Sequence, residues 1–116
     1  MVDKKNKIKL SELKKVAEKM FGNLVKVVVD VEKEIMVVGG ELHTDEEAFL
    51  LETGSEQKNL WGINIYPEKI DKEFIEFDSL INIRPSFGNK SRNVEDQKIR
   101  EKIERIVKEL IEYDLS

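Results

Sequence analysis

The segment Arg84-Pro85-Ser86-Phe87-Gly88-Asn89-Lys90-Ser91-Arg92-Asn93 carries residue types that bind anions. Arg84 and Arg92 offer planar, bidentate donors that fit phosphate or carboxylate. Lys90 adds a third cation, Asn89 and Ser91 add hydrogen-bonding groups, and Gly88 adds backbone freedom. The segment runs into a predicted helix, whose first N–H groups lack intrahelical partners and favour negative charge. On an extended chain Asn82 and Arg84 lie about 7 Å apart, so both can touch one small ligand. Asn82, Arg84, Asn89, Lys90, Ser91 and Arg92 therefore form the candidate ligand-binding set. Glu95 and Asp96 oppose it: they already complement the helix dipole and repel a nearby phosphate. The segment also lacks the Gly-Lys-Ser/Thr of a P-loop and the three-glycine dinucleotide pattern. The alternative reading is a surface loop whose Asn and Ser satisfy turn backbone and whose arginines pair with local carboxylates.

A second constellation surrounds the one histidine. In an extended chain Glu41, His43 and Asp45 share a face, an oxygen-plus-imidazole set of the kind that holds a divalent metal. A metal with a bound water supports hydrolysis. No second histidine is available, and Thr44-Asp45-Glu46-Glu47 has the form of a capping box that competes for Asp45. The expectation is no metal and no cofactor, with His43 hydrogen-bonded or facing solvent. No Gly-x-Ser-x-Gly nucleophile elbow occurs. Trp61 has apolar face-mates and reads as core.

Composition bounds the partners. A chain of 116 residues fits one domain. With 38% charged residues it resembles the Lys/Glu-rich chains of heat-adapted proteins. The formal net charge of −4 argues against a duplex-DNA binder, whose affinity rests on many phosphate contacts. The charge is uneven: residues 41–56 hold six acids and no Lys or Arg, while 79–94 hold Arg84, Lys90 and Arg92 and no acid. Without cysteine there is no disulfide or thiolate chemistry. No apolar stretch approaches the ~20 residues of a membrane helix, so the expectation is a cytoplasmic protein with no membrane partner.

These residues must be positioned by a small set of elements. Residues 1–9 read as a flexible, lysine-rich start, and 10–116 as a single domain. Ser11 is placed to cap a helix on which Leu13, Val16, Ala17, Met20 and Phe21 recur at helical spacing. Val25 to Val31 and Ile35 to Val38 read as a strand pair. Residues 45–53 fit either a short helix or a strand. In a third strand, Leu60 to Tyr66, Trp61, Ile63 and Ile65 share one face. Phe74 to Arg84 alternates throughout, with Ile75, Phe77, Ile81 and Ile83 on one side. A strand that long implies a bulge or break near Asp78-Ser79. Asn93 is placed to cap a last helix with the stripe Ile99, Ile103, Ile106, Val107 and Leu110. The sum is an α+β fold: an antiparallel four-stranded sheet with N- and C-terminal helices packed on one face. Asn64, Tyr66, Glu76, Asp78, Asn82 and Arg84 are then expected on an exposed second face.

The runs Leu60-Trp61-Gly62-Ile63-Asn64-Ile65-Tyr66-Pro67 and Ile75-Glu76-Phe77-Asp78-Ser79-Leu80-Ile81-Asn82-Ile83-Arg84-Pro85 carry a resemblance. With Leu42-His43-Thr44-Asp45-Glu46-Glu47 and Gly88-Asn89-Lys90-Ser91-Arg92, they resemble an uncharacterised family of small archaeal and bacterial proteins, a domain of unknown function. That resemblance implies a free-standing domain and no particular activity. The residues themselves point to a non-catalytic binding module for a small anion, nucleotide or RNA end. The alternatives are a metal-assisted hydrolase around His43 and a protein-interaction domain, with a homodimer among its partners.

Overall fold

The computed structural model describes residues 1–114. In chain order the elements are β1 (Ile8–Lys9), α1 (Leu10–Met20), β2 (Val25–Asp30), β3 (Ile35–Val38), α2 (His43–Glu52), β4 (Leu60–Ile65), β5 (Ile75–Glu76), α3 (Gln97–Leu110) and β6 (Ile111–Glu112). Strands β3-β2-β4-β5 form one antiparallel sheet, and β1 pairs with β6 in a small parallel one. The fold is α+β.

Strand register fixes which residues share a face. Val27 lies opposite both Val38 and Ile63, and Val29 opposite both Met36 and Trp61. These odd-numbered β2 and β4 positions, with Met36, share one buried cluster with Leu13 and Ala17 of α1 and with Ile103, Ile106, Val107 and Leu110 of α3. The even positions Val28 and Leu60 form a second, smaller cluster with Leu50 of α2 and with Ile81. Helix thus covers sheet on the second face too. Residues 45–53 lie almost wholly in α2, so the helical alternative is the one adopted. Within the lysine-rich start, Val2 and Ile8 are buried; Val2 bridges Met36 on edge strand β3.

Four local expectations need correction. The long strand from Phe74 to Arg84 does not form: β5 ends at Glu76, and Leu80–Asn82 and Pro85–Phe87 are 3-10 turns. The break falls at Asp78-Ser79, where the Ser79 hydroxyl accepts the Ile81 N–H. Ser79 packs so tightly on Gly62 that a Cβ there would meet its hydroxyl at 2.5 Å. Ser11 does not cap α1, which begins one residue earlier; its hydroxyl bonds Asp114 instead. The Thr44 box does not form either, because α2 starts at His43 and the carboxylate that reaches back is Glu46, to the Gly40 N–H. Asn93 is not the cap of α3, whose start is delayed to Asp96, which accepts the Lys98 N–H.

Candidate functional site

Half of the expected polar face is enclosed: Asn64, Asn82 and Arg84 are buried, whereas Glu76 is exposed and Tyr66 and Asp78 are half-buried. The reason lies at the edge of β4. Where β5 stops, the N–H and C=O groups of Gly62 and the C=O of Leu60 lose their strand neighbour, and a buried backbone group must find another partner. Asn82 supplies it: its Oδ1 accepts the Gly62 N–H at 2.9 Å and its Nδ2 donates to the Gly62 carbonyl at 2.9 Å. One carboxamide thereby replaces a ladder rung. Arg84, two residues on, donates to the carbonyls of Leu60 and Gln57. Its guanidinium lies 4.4 Å over the Trp61 ring, and burial pulls its pKa below the ordinary arginine value. The two-residue spacing of Asn82 and Arg84 matches that of the β4 backbone groups of Gly62 and Leu60 that they bond.

The rest of the segment is also spent internally. The Asn89 Nδ2 donates to the carbonyls of Asn82, Ser91 and Asn93, and its Oδ1 accepts the Glu95 N–H. The Lys90 and Ser91 N–H groups both donate to Glu95 Oε2 at 2.8 Å. Hydrogen bonds from the Ser91 hydroxyl and these N–H groups hold the Glu95 carboxyl below its ordinary range. The chain's own carboxylate therefore occupies the place an anion would take. Arg92 is half-exposed and pairs with Asp78. Of the six candidate residues, Asn82, Arg84 and Asn89 brace the fold, Lys90 and Ser91 hold Glu95 through their backbone N–H groups, the Lys90 side chain is exposed, and Arg92 pairs with Asp78.

Helical geometry separates the histidine constellation. His43 and Asp45 stand in the first turn of α2, where residues two apart point to different sides. His43 turns inward and its Nε2–H donates to the Ile63 carbonyl at 2.7 Å, while Glu41 and Asp45 are exposed. Burial pushes the His43 pKa below its ordinary value. Among the described residues no three His, Asp or Glu side chains gather to hold a metal. The group with the larger perturbation is Glu46. It is 2% exposed, and burial pushes its carboxyl up to about 9. Its Oε1 and the Asn64 Oδ1 have no hydrogen-bond partner.

A broad groove lies elsewhere. A groove of about 1170 Å³ runs between α1, α3 and residues 67–77. Leu10, Phe74, Ile75 and Phe77 give it an apolar floor, and Tyr113 stands on its rim. Lys14, Lys69, Lys72, Arg100 and Lys108 line it against three acids, Glu68, Asp71 and Glu104. That local excess of positive charge contrasts with the −4 of the whole chain. Lys14 pairs with Glu68 at 3.5 Å and Lys69 lies 4.5 Å over the Tyr66 ring. Lys72, Arg100 and Lys108 have no carboxylate partner among the described residues. Arg100 lies 4.7 Å over the Phe77 ring, and its Nε is buried without a partner. Sequence reading missed this site because its residues run from Leu10 to Tyr113 and no local segment is basic. The one signal was Arg100 and Lys108 flanking the apolar stripe of α3.

No curated protein and no solved structure matches the chain. A family model described as "Protein of unknown function (DUF5674)" matches residues 3–110, nearly the whole described fold. The chain, with its braced β4 edge and its basic, aromatic groove, belongs to that family of proteins of unknown function.

Proposed function

We propose that the protein is a non-catalytic binding module for a small anionic ligand, of which a nucleotide or an RNA end is one form, and that the ligand sits in the groove between α1, α3 and residues 67–77. The observation that carries this reading is the pairing of an apolar aromatic floor with the unpartnered cations Lys72, Arg100 and Lys108. A concave apolar site with a few convergent charges fits a small molecule that has both an apolar body and a negative group. The segment 82–92 supports the reading less, since most of its donors are bonded within the chain. The hydrolase alternative lacks support from geometry: His43 and Glu46 are enclosed beneath α2, away from the groove. Thermal melting with added phosphate or mononucleotides tests the proposal. A bound anion raises the melting temperature by mass action. The rise should vanish in an Arg100→Ala/Lys108→Ala double variant and weaken with salt. An equal response in both proteins, or none in either, refutes it.

A protein-interaction role is favoured by a separate observation. Leu42 at the start of α2 and Phe49 and Leu51 on it are exposed beside Thr44, Asp45 and Glu52, so the helix presents large apolar side chains to solvent. Light scattering of the wild type and a Phe49→Ser/Leu51→Ser variant tests for a homodimer. A monomer in both removes that reading.

A further inference from the structure

We infer that the groove takes a nucleoside phosphate, with the base stacked on the Arg100 guanidinium and the phosphate held by Lys108; this rests on the groove being an anion-binding site. Arg100 is the centre of the argument. Its guanidinium carbon lies 4.7 Å from the Phe77 ring centroid, within cation–π range. The guanidinium has no carboxylate partner among the described residues. Arg100 lines the groove, and an arginine guanidinium beside an aromatic ring is a platform for a nucleobase. A simple anion needs no such platform; phosphate is served as well by a lysine.

Neighbours on α3 suit the rest of such a ligand. Gln97, Arg100, Glu104 and Lys108 recur at helical spacing and all line the groove. Gln97 and Glu104 flank Arg100 about one turn away on either side, about 4.5 Å and about 6 Å along the axis. They bring a carboxamide and a carboxylate to where the edge of a stacked base presents its donors and acceptors. Lys108 stands about 12 Å along the axis from Arg100, a span bridged by a sugar-phosphate together with the lysine's own stem. Glu104 stands four residues from each cation, so the orientation rests on the planar group belonging to Arg100 and the point charge to Lys108.

Isothermal titration of the wild-type protein with AMP, GMP, ribose phosphate and inorganic phosphate tests the inference. Stacking of the base should make a mononucleotide bind at least about tenfold tighter than ribose phosphate. Arg100→Lys keeps the charge and removes the plane, so it should bring the ratio of mononucleotide to ribose phosphate affinity down to about one. Lys108→Ala should weaken mononucleotides and ribose phosphate alike. Ribose phosphate binding as tightly as AMP and GMP overturns the inference and leaves the anion site standing. So does a margin that survives Arg100→Lys. Binding by none of the four overturns both.

Discussion

Replacing Glu46 by glutamine isolates the effect of one enclosed carboxyl on stability. Glu46 is 2% exposed, and burial moves its pKa from 4.5 to about 9, against the opposing hydrogen bond from Gly40. The folded protein therefore keeps this proton in a range where the unfolded chain has released it. A folded-state pKa above the unfolded one gives stability that is complete below about pH 4.5 and is lost as pH rises through about 9. In that window the loss is about 1.4 kcal/mol per pH unit. Between about pH 7 and pH 8.5 it comes to about 2 kcal/mol, a sizeable share of the ~5–15 kcal/mol that holds a domain together. For a chain of this length that is roughly 8 °C in melting temperature. The window avoids His43, whose lowered pKa affects stability only as pH falls below its ordinary value of 6.5. Glutamine retains an acceptor for the Gly40 N–H and does not titrate. Its amide leaves donors unpaired, at a cost of about 1–3 kcal/mol that does not vary with pH. The readout is thus the slope, not the level. Urea unfolding of both proteins at about pH 7 and pH 8.5 should show a loss in the wild type that is absent in Glu46→Gln. Parallel losses in the two proteins would refute the reasoning.

Three further substitutions probe the frame. Asn82→Ala strips the replacement rung from Gly62 and should destabilise by about 2–4 kcal/mol in chemical unfolding, whereas a surface-loop role predicts almost nothing. Gly62→Ala drives a methyl into Ser79 and should cost about 1–3 kcal/mol; combining it with Ser79→Gly should recover part of that, and an additive double variant argues against the contact. Ile106→Ala, fully buried on α3, should cost about 2–5 kcal/mol, measured by the same unfolding curves, and an unchanged midpoint would place that stripe outside the core.

Periodicity alone was enough to locate β2, β3, β4 and the apolar stripe of α3, because alternation and helical spacing are local consequences of backbone geometry. Extended-chain spacing also put Asn82 and Arg84 within reach of one common partner. What it did not carry was whether the second sheet face meets water. A polar residue at an even position looks the same in sequence whether it faces solvent or a broken sheet edge. The decision came from β5 ending early, which left the Gly62 and Leu60 backbone groups without partners and drew Asn82 and Arg84 inward. Glu95 settled the neighbouring loop in the same way, since an intramolecular carboxylate reaches the N–H groups of Lys90 and Ser91 without the entropy cost of association. The groove was the least legible feature. Its cations lie on α1, on α3 and in the loop after β4, each unremarkable in its own segment, and only packing of distant elements gives them a common space. Local pattern follows from bonded geometry, whereas burial and convergence are set by contacts between residues far apart in the chain.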